Sequence, residues 1–232
     1  MIRIRRSEDR GYANHGWLES YHSFSFASYY DQDHMNFSDL RVINEDWIAA
    51  GGGFPMHPHK DMEIITYIVS GELAHKDSMG NGSVIRPGDI QRMSAGSGIT
   101  HSEFNHSSDN PVHLLQIWID TCNQGIKPEY EQKNFAELRN DNGLTLIASM
   151  GGRHGSVHIN QDVNVFSGRL NAGQGVHLDI RRGRRLWMQL VSGSLGLESE
   201  CLGPGDGVAV SDQLDVSLVA ENESEFLLFD LN

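Results

Sequence analysis

Cysteine is scarce: Cys122 and Cys201 are the whole complement of 232 residues. Two thiols cannot build a disulfide framework, so the chain is expected to fold in a reducing compartment, with Cys122 a buried, inert thiol. Basic charge is also short. Lysine and arginine total 18 against 31 aspartate and glutamate, a formal net charge of −13, which opposes direct nucleic-acid binding and attraction to anionic membranes. No apolar run approaches the length of a membrane span, and residues 1–10 alternate apolar with charged side chains, without the hydrophobic segment of a signal peptide. A soluble, cytoplasmic protein is the expectation. Helical periodicity is nearly missing as well, and only residues 130–138 suggest a short helix.

What is present is glycine, 25 residues of it, punctuating short β-branched and aromatic runs such as Glu63-Ile-Ile-Thr-Tyr-Ile-Val69, Leu114-Leu-Gln-Ile-Trp-Ile119 and Phe226-Leu-Leu-Phe-Asp-Leu231. This is an all-β rhythm. Ser78-Met-Gly-Asn-Gly-Ser83 and Arg86-Pro-Gly-Asp89 read as turns. The chain also repeats itself. Ile68-Val-Ser-Gly-Glu-Leu73 returns as Leu190-Val-Ser-Gly-Ser-Leu195, and Pro87-Gly-Asp89 as Pro204-Gly-Asp206. The first pair is displaced by 122 positions and the second by 117, so the second copy lacks about five residues, as a shorter hairpin would. Two tandem β-barrel-like domains follow, 1–134 and 143–232, joined near residues 122–142 where Gly125, Lys127-Pro128 and Arg139-Asn-Asp-Asn-Gly143 interrupt the strands.

The first copy carries four ligand-type residues in two pairs, His57-Pro-His59 and His101-Ser-Glu103. An i, i+2 spacing places both members of a pair on one face of a β-strand. Three imidazoles and a carboxylate suit a borderline first-row metal and leave coordination positions for chemistry. The second copy offers only His177 upstream and Leu214-Asp-Val-Ser217 downstream, so one metal per chain, in the first domain, is expected.

Gly51-x5-His57-x-His59-x3-Glu63, followed by Gly71, resembles the first cupin motif, and Gly88-x7-Gly96-x4-His101-x3-Asn105 resembles the second with altered spacing. Longer strings narrow this: Arg10-Gly11, His15-Gly-Trp17, Ser23-Phe-Ser-Phe26, Tyr29-Tyr-Asp31, Leu40-Arg-Val-Ile-Asn44, His57-Pro-His-Lys-Asp-Met-Glu63 and Ser94-Ala-Gly-Ser-Gly-Ile-Thr-His-Ser-Glu103. Together they resemble the bacterial pirin family over essentially the whole chain.

The resemblance implies a bicupin of two jelly-roll-like β-barrels, the second degenerate. It implies a divalent metal, iron first and manganese, cobalt, nickel or zinc as alternatives, held by His57, His59, His101 and Glu103. Some bacterial members look like quercetin 2,3-dioxygenases, so the implied partners are a flavonol and O2, with Glu103 taking the substrate's 3-hydroxyl proton and the ring opening with loss of carbon monoxide. Animal members are associated with transcriptional co-regulation, which keeps a metal-dependent redox sensor with a protein partner as the alternative. The second barrel of about 90 residues is shorter than the corresponding animal portion, which favours the enzymatic branch.

Glu63 shares strand parity with His57 and His59 if no bulge intervenes, so it competes with Glu103; the pirin pattern favours Glu103. His75, His106, His113 and His177 read as surface or hydrogen-bonded histidines, since none forms a second spaced pair. Arg181-Arg-Gly-Arg-Arg185 reads as a solvated turn. Trp17, Phe24, Phe26 and Tyr29 either line a pocket for a planar ligand or fill the space between barrels, while Phe54, Met56 and Met93 are expected as walls near the metal.

Overall fold

A computed structural model describes residues 1–138 and 143–232; positions 139–142 of the expected domain junction lie outside the described residues. Strand follows strand, and the only helical turns among the described residues are Ser7–Asp9 and Arg153–Gly155. No helix among them is long and apolar enough to cross a membrane. The helix expected over 130–138 is instead a strand, Glu129–Asn134, at the edge of a sheet, with Tyr130 opposite Met93. The edge of Asp89–Ser94 offers this segment a backbone ladder, and alternation sends the Tyr130 and Gln132 side chains together toward Ser83 and Val84. Only a closing turn, Leu138 N–H to the Phe135 carbonyl, is helix-like.

Two seven-stranded and two four-stranded sheets make two barrels of the same plan. In the first, the large sheet runs Glu129–Asn134, Asp89–Ser94, Met62–Ser70, Val112–Asp120, Leu40–Ile48, Leu18–His22, Gly11–Asn14, and the small one Gly53–His59, Ile99–Asn105, Leu73–Asp77, Gly82–Ile85. In the second, the large sheet runs Ile2–Arg5, Gly207–Val210, Arg185–Ser192, Ser224–Leu231, Asn164–Leu170, Leu144–Met150, Val157–Ile159. Its small sheet is Gly175–Asp179, Asp215–Ala220, Leu195–Leu197, Glu200–Leu202. The repeated Val-Ser-Gly ends Met62–Ser70 and Arg185–Ser192 in turn, where Gly71 and Gly193 take φ of 80° and 88°, a region costly for other residues. The hairpin that follows spans 13 residues (73–85) in the first copy and 8 (195–202) in the second, which accounts for the five missing.

The N-terminal strand Ile2–Arg5 crosses over to pair with Gly207–Val210 of the second barrel. The two large sheets share the main core, in which Ile65, Tyr67, Leu115 and Ile117 meet Ile147, Trp187, Leu227 and Phe229. Strand alternation then sends Ile64, Thr66 and Ile68 the other way, into the first barrel. The second barrel is filled by Leu178, Leu186, Met188, Val208, Val216 and Leu218. His177 stands on the exposed outer face there, bonded to Ser217.

The early aromatics divide between roles. Phe24 packs on Trp187 in the shared core, Trp17 on Phe54, and Tyr29 accepts a bond from Arg5; Phe26 alone meets Trp118, the neighbour of His59. The arginine run is a turn whose Arg184 pairs with Asp162 and Asp230. Cys122 is exposed, contrary to expectation: it lies two residues past the end of Val112–Asp120, with its backbone N–H bonded to the Asn160 carbonyl.

Candidate metal centre

The antiparallel pair Gly53–His59 and Ile99–Asn105 sets His57 opposite His101. Between there and the pairing of Phe54 with Glu103, two residues, Pro55 and Met56, oppose the single Ser102, a β-bulge. The bulge turns Phe54 to the same face as His57 and leaves Met56 outside, 57% exposed, so Met56 is no wall of the site. Met93 is buried with Ile64 and Ile99, and Trp118 packs against them.

The nitrogens of His57, His59 and His101 converge within 4.8 Å of one another. Their rings stand 4.4–4.8 Å apart between centroids. His57 donates its Nδ1–H to the carbonyl of the bulged Pro55 at 2.8 Å, which leaves Nε2 as the lone-pair nitrogen. His101 Nε2 is buried without a hydrogen-bond partner among the described residues, a costly arrangement unless something accepts its lone pair. Burial and the neighbouring histidines hold His59 down to about 4 and His101 to about 2, so both are neutral at ordinary pH. Neutral, converging imidazoles with one orphaned nitrogen fit a divalent transition metal.

Glu103 lies on the inner face with its carboxylate buried, accepting from Gln116 Nε2 at 2.9 Å and Thr66 Oγ1 at 3.4 Å. It closes a second group of ligand-type atoms with His101 and His75, also within 4.8 Å of one another. Burial pushes Glu103 up to about 7, offset in part by the Gln116 bond. Glu63 is not in either group. Its strand belongs to the large sheet, reached through Lys60 and Asp61, where Asp61 takes φ of 48°, so the parity with His57 is broken. Glu63 faces the second barrel and accepts from Ser94 at 2.8 Å and Asn160 at 3.2 Å.

Sequence reasoning missed His75. It is buried on Leu73–Asp77, opposite Glu103 in register, with its ring 5.2 Å from that of His101 and with Asp77 at 3.4 Å. The signal was there: His75-x-Asp77 is a third i, i+2 pair, lying between the two motifs. His113 is hydrogen-bonded as expected, to Glu45 at 2.9 Å while stacked on Trp47. A cavity of about 480 Å³ lies beside Tyr67, Arg169 and Glu225, and none of the clustered imidazoles lines it.

Two features of this barrel give measurable consequences. A Cβ on Gly53 would stand 2.5 Å from the Phe104 Cα and closer still to the Glu103 carbonyl oxygen. Gly53→Ala is therefore expected to part the ligand-bearing strands, lowering stability by about 1–3 kcal/mol and metal affinity by about tenfold or more. Denaturant unfolding and metal titration check this, and wild-type values in both would mean the strands yield freely.

Asp46 is also buried, accepting a hydrogen bond from the Ser20 hydroxyl, and burial raises it to about 7 from 3.8. Between those values the folded state holds a proton that the unfolded state has released, so stability falls as pH rises. Asp46→Asn, which cannot ionise, should exceed wild type at pH 8 by about 4 kcal/mol and lose most of that gain by pH 4. Urea unfolding at both pH values measures it; a gain independent of pH would remove the buried-acid account.

Comparison with known proteins places this geometry. Residues 3–119 match the Pirin family model and residues 146–231 the model of the quercetinase C-terminal cupin domain. A quercetin 2,3-dioxygenase of Escherichia coli (strain K12) is 47% identical over 232 residues, covering 100% of this chain and 99% of the relative. A pirin-like protein of Caulobacter vibrioides is 36% identical over 231 residues, covering 99% of each. The crystal structure of the bacterial pirin YhhW from Escherichia coli in complex with nickel(II) superposes with a TM-score of 0.95 at 46% identity, covering 100% of this chain and 99% of that one. With both barrels matched in order and from end to end, the chain belongs to the bacterial pirin family of bicupins.

Proposed function

We propose that this protein is a metal-dependent dioxygenase of the quercetin 2,3-dioxygenase type, cleaving a flavonol with O2 to a phenolic ester and carbon monoxide. The carrying observation is the convergence of His57, His59 and His101, with His101 Nε2 left without a partner among the described residues and the buried Glu103 carboxylate grouped with the same His101 and His75. These four residues would hold one divalent metal, with iron the proposed ion in a cytoplasmic setting; the nickel(II) complex of the relative supports a site of this donor type. When bound, the metal would supply Lewis acidity toward the substrate oxygens and a contact for O2.

The chain's own groups do the rest. Glu103 accepts the proton of the flavonol 3-hydroxyl, as a carboxylate in a dry site and near neutral pKa is suited to do. Gln116 and Thr66 fix which oxygens of Glu103 are available. Ile64, Met93, Ile99 and Trp118 form an apolar wall that keeps water from one side of the imidazoles. Elemental analysis is expected to give close to one metal per chain, and metallated protein to consume O2 with quercetin. Metal bound without turnover across several flavonols, together with partner binding that follows metal oxidation, would replace this reading with the sensor.

A further inference from the structure

The His101 ring has two ends, and only one of them faces His57 and His59. At the other end His101 Nδ1 lies 3.5 Å from His75 Nδ1, and His75 Nε2 lies 3.4 Å from Asp77 Oδ2. All three residues are buried. Asp77 is held in turn by the hairpin tip: Oδ1 accepts the backbone N–H of Met79 at 2.9 Å and of Asn81 at 3.0 Å, and Oδ2 accepts Asn81 Nδ2 at 2.8 Å. The Tyr130 ring covers His75 at 4.9 Å between centroids.

We infer that Asp77 and His75 form a supporting chain that sets the tautomer of His101, so that its Nε2 presents a lone pair to the metal. The inference rests on the metal reading above and deepens it. One placement of protons satisfies every ring nitrogen and carboxylate oxygen along this line except His101 Nε2. The Asp77 carboxylate can only accept, so His75 carries its proton on Nε2. His75 Nδ1 is then an acceptor and receives the Nδ1–H of His101. His101 Nε2 is left with a lone pair and no partner, on the side where the other imidazoles converge. The reverse placement sets a lone pair of His75 against the carboxylate and buries an N–H of His101 with nothing to receive it, a penalty at each end. His75 and Asp77 are thus positioning residues that act through His101. Pro55 does the same for His57 through a backbone carbonyl.

The chain makes the affinity for metal depend on an acceptor at position 75, not on an imidazole there. Full-length protein stripped of metal and titrated with Co(II) tests this in wild type, His75→Gln and His75→Leu. Glutamine keeps an oxygen that can accept the His101 N–H, whereas leucine fills the space without one. Co(II) affinity is expected to fall about 10–100-fold in His75→Leu and to recover most of that in His75→Gln. In proton spectra of the Co(II) forms, the shifted ring N–H of His101 should exchange slowly in wild type and His75→Gln, and fast in His75→Leu.

A folded His75→Leu protein with wild-type affinity and slow N–H exchange would overturn the inference. So would loss of a coordinated imidazole from His75→Gln, which would make His75 itself a ligand. Should the leucine variant fail to fold, the glutamine variant decides alone: a protected His101 N–H and an unchanged count of coordinated imidazoles support the chain, and a change in either overturns it. Wild type that binds no Co(II) would overturn the metal centre itself, and this support with it.

Discussion

Replacing Glu103 by glutamine is expected to cut flavonol turnover per bound metal by about 10²–10⁴-fold while metal content stays near that of wild type. Glutamine keeps an oxygen donor of the same reach but removes the charge and the basicity. The pocket can accept the amide, because Thr66 Oγ1 can receive a hydrogen bond as well as give one and the Gln116 amide can turn. What is lost is a carboxylate that burial holds at about 7 and so poises to take a proton near neutrality. Quercetin disappearance under O2, normalised to metal measured in the same sample, is the readout. Normalised activity equal to wild type would end the general-base role, and parallel loss of metal and activity would leave Glu103 a ligand only.

The architecture was legible because two local signals agreed. β-branched runs between glycines gave strands, and Val-Ser-Gly with Pro-Gly-Asp returned in the same order, at the turns where Gly71, Gly88, Gly193 and Gly205 take positive φ. Spacing alone put His57 with His59 and His101 with Glu103, and the family pattern favoured Glu103 over Glu63 as the carboxylate. What failed was everything that depends on leaving a strand. Parity counted through Lys60 and Asp61 assigns Glu63 to the face of His57, but the chain there passes from one sheet to another and the count restarts. Tyr130 and Gln132 look helical in a polar stretch until the edge of Asp89–Ser94 is present to pair with. Met56 is apolar yet outside because it directly precedes the inward-facing His57 and so takes the alternate face, while the bulge brings Phe54 to the face of His57. His75 reads as a lone histidine when only His-His and His-Glu pairs are sought, although His75-x-Asp77 repeats the spacing of the two motifs.

The same change of sheet predicts that one imidazole and one buried carboxylate will respond in opposite ways. His59→Ala removes one of the three converging nitrogens and is expected to weaken metal binding by about 10²-fold or more. Its effect on the stability of the metal-free protein should be small, since His59 is only part-buried and its ring contacts are with the other imidazoles and Trp118. Glu63→Gln should do the reverse. Glu63 points away from the imidazoles into the contact between barrels, where it accepts from Ser94 and Asn160, and a glutamine amide would set one donor against another. That exchange is expected to cost about 1–3 kcal/mol of stability with metal content unchanged. Metal titration and denaturant unfolding on both variants separate the two roles. Equal loss of metal in both would make Glu63 a ligand and require a different path for the chain between His59 and Met62, whereas metal lost only with His59 and stability lost only with Glu63 would fix the two faces of the first barrel by experiment.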